Sequence, residues 1–393
     1  MSKLRNIKWK HYISFVVLTI VTVVMAILSF SGALRSSDIY LLEKIAISIM
    51  LAVSLSMVVG FLGELSLGHA GFMCVGAYLG GKTAVILEPM IGEVPALLAA
   101  LAVGGTVAVV SGVIIGLPAL RLRGDYLAIV TLAFGEIVRS IFMNSSAESF
   151  GGSLGLDTPR FDKDYLFIIA FVLVIGCLAV TQNLIRSKHG RAITSIRDNE
   201  IASRAMGINV TKYKLTVFAV SSFFAGVAGV LYSYSNYTIQ STNFDYNYSI
   251  EILVMVVLGG MGSINGSIIA ATLITFLDVK LQTILTGNLA VLQDLFYALI
   301  LIVLVIYNNA PGLKGFRDRY NIKNLLVRFK KNDPSNVRDD EAKWDRVPTK
   351  IKMDEVLSVD LQVSSPYTPD KSWNLSGDKS WDKSENKPGK ENN

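Results

Sequence analysis

Cysteine and histidine are nearly missing from this 393-residue chain, which has two of the first and three of the second. Cys74 and Cys177 both fall inside apolar runs, so they read as small buried hydrophobes and not as a disulfide. His11, His69 and His189 are far apart and have no metal-ligand spacing. Ser66 with His69 is the only local nucleophile–base candidate, and nothing nearby completes a catalytic set, which argues against an enzyme and against a bound cofactor. Charge is scarce too, at 17% of residues, where soluble proteins carry about 25%. The shortage is uneven. Residues 316–393 are dense in Lys, Asp and Glu, so the first 315 are poorer still. The formal net charge of +6 does not imply nucleic acid, because no basic patch with interleaved aromatics exists.

What fills the chain is hydrophobic: 51% of residues, with a mean hydropathy of +0.47. A helix needs about 20 apolar residues to cross a bilayer, and on that rule about ten spans are predicted. They are Ile13–Phe30, Ile45–Leu62, Ala70–Leu87, Ala96–Leu117, Tyr126–Met143, Leu166–Ile185, Leu215–Tyr234, Ile250–Gly260, Ser267–Leu285 and Leu289–Tyr307. The eighth is short, as a broken helix would be. The fold class is therefore an all-α polytopic membrane protein. Residues 1–315 form a transmembrane domain and residues 316–393 a polar tail. The first run reads as an uncleaved anchor, since it is longer than the usual h-region of about 7–15 residues, although Ser29-Phe30-Ser31 would pass as a cleavage site.

Orientation follows from positive charge. Lys3, Arg5, Lys8 and Lys10 place the N-terminus in the cytoplasm. Counting spans then puts Arg121, Arg123, the loop 186–214 and the C-terminal tail inside as well. From Asn321 onward the tail is too polar to bury enough apolar surface to offset chain entropy, so it reads as disordered.

Four constellations interrupt the apolar pattern. The first is Gly63–Tyr78, GELSLGHAGFMCVGAY. Unpaired backbone in hydrocarbon costs several kcal/mol, so such a break survives only inside protein or along a watery cavity. Glu64, Ser66, Gly68, His69, Gly71, Gly76 and Tyr78 are candidate substrate-pathway residues, because broken helices mark transport sites and their ends suit a small zwitterion. A plain helix-packing face is the competing reading of the same glycines. The second constellation, LGGMGSING at 258–266, nominates Gly259, Gly260, Gly262 and Ser263 in the same way.

The third is the charged loop from Ser187 to Lys214. Ala192, Ile193, Ile196, Ile201, Ala205 and Met206 give it an apolar stripe, so it reads either as a solvated helix or as a docking element for a soluble partner. The fourth is Glu136 with Arg139, spaced i, i+3 inside a span. They can pair on one face, as a functional or a structural intramembrane pair. Gly76–Thr83 fits the phosphate-loop pattern, but it neither follows a strand nor opens a helix, so ATP binding by this chain is not expected.

Together, GELSLGHAGFMCVGAYLG, LRGDYLAIVTLAFGEIVRSIF with GGSLGL after it, GRAITSIRDNEIASRAMGIN, VVLGGMGSINGSIIAA and PGLKG resemble the permease of branched-chain amino acid ABC importers, the LivM type. The resemblance covers residues 40–316. It implies a sister permease, two cytoplasmic ATP-binding subunits, an extracytoplasmic substrate-binding protein, and a bacterial inner-membrane location with both termini cytoplasmic. It also implies that Gly190, Arg191, Arg197, Asp198, Glu200, Ala202 and Gly207 belong to an ATPase-coupling segment. The chain has Glu200-Ile201-Ala202 and then Gly207, one residue later than the general importer pattern, so the role of the loop carries over and the pattern does not. The expectation is inward transport of a branched-chain amino acid by alternating access. The alternatives are urea or short amides, or an ion-coupled carrier for which only Glu64, Glu136 and Asp278 are available as carboxylates.

Overall fold

Apolar runs this long must satisfy their backbone groups internally, and the α-helix does so within one segment. In the computed structural model, residues 13–32, 34–119, 122, 124–161, 163–284, 298, 299 and 302 are described. The chain is mostly helical over these residues. In order come α1 (Ile13–Phe30), α2 (Ser36–Ser56) with a π-helical turn at Met57–Leu62, α3 (His69–Ile91), α4 (Glu93–Ala119) and α5 (Asp125–Met143). Then follow the short α6 (Ala147–Phe150), α7 (Lys163–Arg186), α8 (Lys188–Asp198), α9 (Glu200–Ala205), α10 (Val210–Ser235), α11 (Tyr246–Gly259) and α12 (Ile264–Ile284).

Seven helices among the described residues are long and apolar enough to cross a membrane, not ten, and Val17–Ser29 and Tyr246–Gly259 are shorter apolar helices. The predicted tenth span, the N-terminal basic residues, Arg121, Arg123 and the tail lie outside the described residues, apart from 298, 299 and 302. The eighth predicted span becomes α11, whose 14 residues reach only about 21 Å. The second begins nine residues before the predicted Ile45, because its charged first turns are accommodated. Lys280 Nζ lies 3.3 Å from Asp38, Ser235 Oγ donates to the buried Glu43, and Lys44 sits 5.3 Å from the Tyr40 ring centroid. One small feature departs from all-α: β1 (Leu156–Asp157) pairs antiparallel with β2 (Thr238–Ile239).

Helix α2 is the axis of the bundle, with 94% of its most apolar window buried. It packs against α7, α10, α11 and α12, while α3, α4 and α10 pack together beside it. The second cluster is held by close backbone approach, because in hydrocarbon small residues rather than water exclusion drive helix contact. A Cβ on Gly76 would overlap the backbone of Gly226, and one on Gly229 would overlap the Met73 carbonyl. Tyr78 is fully buried, stacks on Phe142 at 4.3 Å and donates to the Ile239 carbonyl at 3.2 Å. The Gly76–Thr83 stretch is continuous helix throughout.

These contacts separate two glycines of equal helix propensity. Gly176 on α7 has nothing within 4 Å of its added Cβ. Gly176→Ala is expected to hold or raise stability by about 0.5–1 kcal/mol, whereas Gly229→Ala lowers it by about 1–3 kcal/mol through overpacking. Thermal unfolding of the two detergent-solubilised variants checks this, and equal midpoints would contradict the packing account.

Candidate functional site

The break after α2 begins with the π-helical turn Met57–Leu62 and ends at Gly63, whose φ is +80°. Residues 63–68 then run without helix before α3 starts at His69. Their freed groups find partners on other helices. The Leu67 amide donates to Thr131 Oγ1 at 3.0 Å on α5, and the Ala70 amide donates to Ser249 Oγ at 3.2 Å on α11. His69 is buried, with Nε2 2.8 Å from Ser54 Oγ on α2. The Ser54 carbonyl accepts from Ser221 Oγ of α10 at 2.7 Å. Gly68 lies against Thr131, where an added Cβ would sit 2.6 Å from its carbonyl oxygen, and Gly71 lies against Gly135. Ser56 and Ser66 each bury a hydroxyl oxygen with no hydrogen-bond partner among the described residues. Orphaned buried hydroxyls are rare and invite a reason.

The second break folds against the first. α11 ends at Gly259, and Gly260 (φ +90°) and Gly262 (φ +82°) turn the chain into α12. Ser263 caps α12, its Oγ accepting from the Gly266 amide at 3.2 Å. Gly259 abuts Gly266 across this hairpin. A Cβ on Gly60 would lie 2.5 Å from the Gly262 amide nitrogen. The two breaks therefore touch backbone to backbone.

The charged loop closes the base of both breaks. Ser187 caps α8 and Asn199 caps α9, the Asn199 side chain accepting from the Ala202 amide at 2.9 Å. Asn199 is extended (φ −159°, ψ 103°), so it splits the expected single stripe in two. Ile193 and Ile196 are buried against the bundle, while Ile201 and Met206 stay 72% and 82% exposed. Gly190 packs on the Ile185 backbone, whereas Arg191, Ala202 and Gly207 are exposed. Arg197 forms an ion pair with Asp198 at 3.0 Å and donates from Nη1 to the Gly60 carbonyl at 3.1 Å. Its aliphatic stem fills the space at Gly63, where a Cβ would sit 2.5 Å from Arg197 Cγ.

One residue that the sequence marks only as the end of the charged loop unites the site. Lys214, in the first turns of α10, is 2% exposed and pairs with Glu64 and, at 3.1 Å, with Glu200. Glu200 also pairs with Arg204 at 2.7 Å. The break and the loop therefore share one buried cation. Glu136 and Arg139 pair at 2.8 Å on α5, each about a third exposed. Gly76 and Tyr78 sit in the helix contacts described above. Among the described residues no group of His, Cys, Asp or Glu could hold a metal ion.

A multi-span bundle with two apposed helix breaks, buried charge at their base and a capped amphipathic loop beneath is the architecture of a membrane transport protein. The model of the family described as branched-chain amino acid transport system / permease component matches residues 39–307, and the chain belongs to that family. The high-affinity branched-chain amino acid transport system permease protein LivM of Salmonella typhimurium is 36% identical over 259 residues, 58% of this chain and 60% of its own. LivM of Escherichia coli K12 gives the same figures. The ribose import permease protein RbsC of Escherichia coli K12 is 26% identical over 68% of this chain and 84% of its own. The chain thus spans 60% of the length of the LivM relatives it matches. No solved structure matches.

Breaking a buried pair by removing one partner costs about 3–5 kcal/mol. Lys214→Met should lose stability on that scale, and adding Glu64→Gln should recover part of the loss. A double-mutant cycle read by unfolding in mixed micelles measures the coupling, and additive effects would remove Lys214 from the centre of the site.

Proposed function

We propose that this chain is the permease subunit of an ABC importer for branched-chain or similar apolar amino acids. The observation that carries this reading is the Lys214 node. It ties Glu64 of the first break to Glu200 of the coupling loop, while Arg197 of the same loop grips Gly60 beside Gly262 of the second. Motion of the loop is thereby motion of both breaks.

Alternating access follows from two states that differ in partner contact. Two ATP-binding subunits dock on the cytoplasmic loop through the exposed Ile201 and Met206. Their closure on ATP displaces α8 and α9, and the ion pairs and the Arg197 bond carry that displacement into the breaks. A sister permease supplies the other wall, and an extracytoplasmic protein delivers the solute. Glu64, Ser66, Gly68, His69, Gly71, Gly260, Gly262 and Ser263 line the route. In this reading the N-terminus and tail are cytoplasmic, about ten spans cross the bacterial inner membrane, and Arg191, Asp198, Ala202 and Gly207 belong to the docking surface. Gly76 and Tyr78 act by fixing the helices around the route.

Charged substitutions at exposed loop positions change stability by only about 0.5 kcal/mol. Ile201→Asp and Met206→Asp should therefore leave the chain folded and cut ATP-driven L-leucine uptake by about tenfold or more, as loss of an apolar anchor does. Uptake assays with ribose as competitor, in cells with and without the ATPase genes, test the reading. Leucine uptake undiminished without the ATPase would refute it.

A further inference from the structure

At the other end of α10 from Lys214, a cavity of about 450 Å³ opens between α2, α10, α11 and α12 beside Tyr232, and charges of both signs share its lining, from Lys44, Glu251 and Asp278. The elbow between α7 and α8 is different, because its charge is of one sign. Arg186 is the last residue of α7, and Lys188 opens α8. Gly190 packs on the Ile185 backbone, so the first turn of α8 folds back on the last turn of α7. The His189 ring lies 5.8 Å from the Tyr213 ring, which brings in the first turn of α10 with Lys212. Arg186, Lys188 and Lys212 are exposed, and none has an ion-pair partner among the described residues. Neither 183–197 nor 207–216 contains an Asp or a Glu. The rest of the loop is the opposite, with Arg197, Arg204 and Lys214 each paired to a carboxylate.

We infer that this elbow binds the headgroup of an anionic phospholipid, with an acyl chain laid along α7. Arg186 and Lys212 stand at the ends of two helices apolar enough to cross a membrane, so the cluster lies at headgroup depth. There each Lys or Arg is worth about fivefold in affinity for an anionic surface. The apolar half of a lipid is matched as well. Val172, Gly176 and Val180 recur every four residues on one face of α7, and Asn183 and Arg186 continue that face. All five are exposed, and Gly176 has open space where a side chain would stand. A free phosphate would use the cations and leave the strip bare, and a lipid without net charge would leave the cations unanswered. Basic residues at helix ends are common in membrane proteins, but they need not converge from three elements at the foot of an open apolar strip. The ATP-binding subunits of the proposed importer meet Ile201 and Met206 instead, on α9. Ile193 and Ile196 already root α8 on the bundle. A lipid bridging α7, α8 and α10 pins that root in the membrane plane and leaves α9, beyond Asn199, to move.

The test is tryptophan quenching on the full chain in phosphatidylcholine nanodiscs. Trp9, Trp344, Trp373 and Trp381 are replaced by Phe and one reporter is added. It is Val180→Trp on the strip, or Ile114→Trp on the exposed face of α4, which lies at similar depth by the span count. Bromine on an acyl chain quenches tryptophan on contact. Chain-brominated phosphatidylglycerol should therefore occupy the strip at Val180→Trp about tenfold or more in preference to chain-brominated phosphatidylcholine, and the two should quench Ile114→Trp equally. Arg186→Gln, Lys188→Gln and Lys212→Gln together should remove the preference, and Arg186→Lys, Lys188→Arg and Lys212→Arg together should keep it. Equal quenching by the two lipids at Val180→Trp, the same preference at Ile114→Trp, or a preference that survives the neutral triple variant would each overturn the inference. Relief of the quenching by inorganic phosphate would overturn it too, by assigning the cations to a soluble anion. The comparison of lipids on the charged chain decides the matter even where the triple variant fails to fold. Nothing in it depends on transport, so its failure is separate from that of the importer reading.

Discussion

A lysine ammonium buried in a membrane bundle has to be neutralised, and in this chain the demand is met by two carboxylates from different parts of the fold. Lys214 holds Glu64 and Glu200 together. Pulling both carboxylates away would strand the buried ammonium, and the cost of stranding is what makes the contact a link. Glu64 lies in the non-helical segment that leads to His69, and Glu200 opens α9. A displacement of the amphipathic loop is thus opposed by electrostatics at its root. Arg197 adds a second tether, to the Gly60 carbonyl.

The glycines make that linkage geometrically possible. Gly60 and Gly262 bring two interrupted helices into backbone contact, and Gly63 both turns through positive φ and leaves room for the Arg197 stem. A side chain at Gly60 would wedge the two breaks apart, and one at Gly63 would displace the Arg197 stem and with it the loop. The same device works on the other flank, where Gly76, Gly226 and Gly229 pull α3 against α10. There it serves rigidity: α10 carries Lys214 near one end and lines the cavity near the other, so a firmly packed α10 keeps the two ends at a fixed distance.

Much of this was legible in the chain. Apart from the start of α2, hydropathy located each described long helix to within a turn or two, and each glycine-rich stretch begins where a helix stops, although the first runs on into α3. Charged first turns hid the true start of α2, because Asp38, Glu43 and Lys44 read as loop until partners on α10 and α12 are known. The charged loop was visible as an amphipathic run, but its division at Asn199 was not, since the helical period reads on across a residue that is a cap on both sides. Lys214 was invisible for a different reason. It is 150 residues from Glu64, and pairing over such a separation leaves no periodic trace. The cavity is hidden likewise, its charges coming from three separate helices, each an ordinary polar residue in its own segment.

Position along the axis gives the two charged regions different work. The Lys214 node sits at the end of the bundle where the loop lies, with every carboxylate answered and the ammonium sealed from solvent. Such a site resists a diffusing ion and suits mechanical transmission. The cavity near Tyr232 is roomier and more open. Between them α2 contributes Ser48, Ser54 and Ser56, and the break contributes Ser66 and His69. A solute moving along that file would exchange one set of weak hydrogen bonds for another. No single site on the way would bind it tightly enough to trap it, and in the proposed mechanism the far end is opened through Lys214.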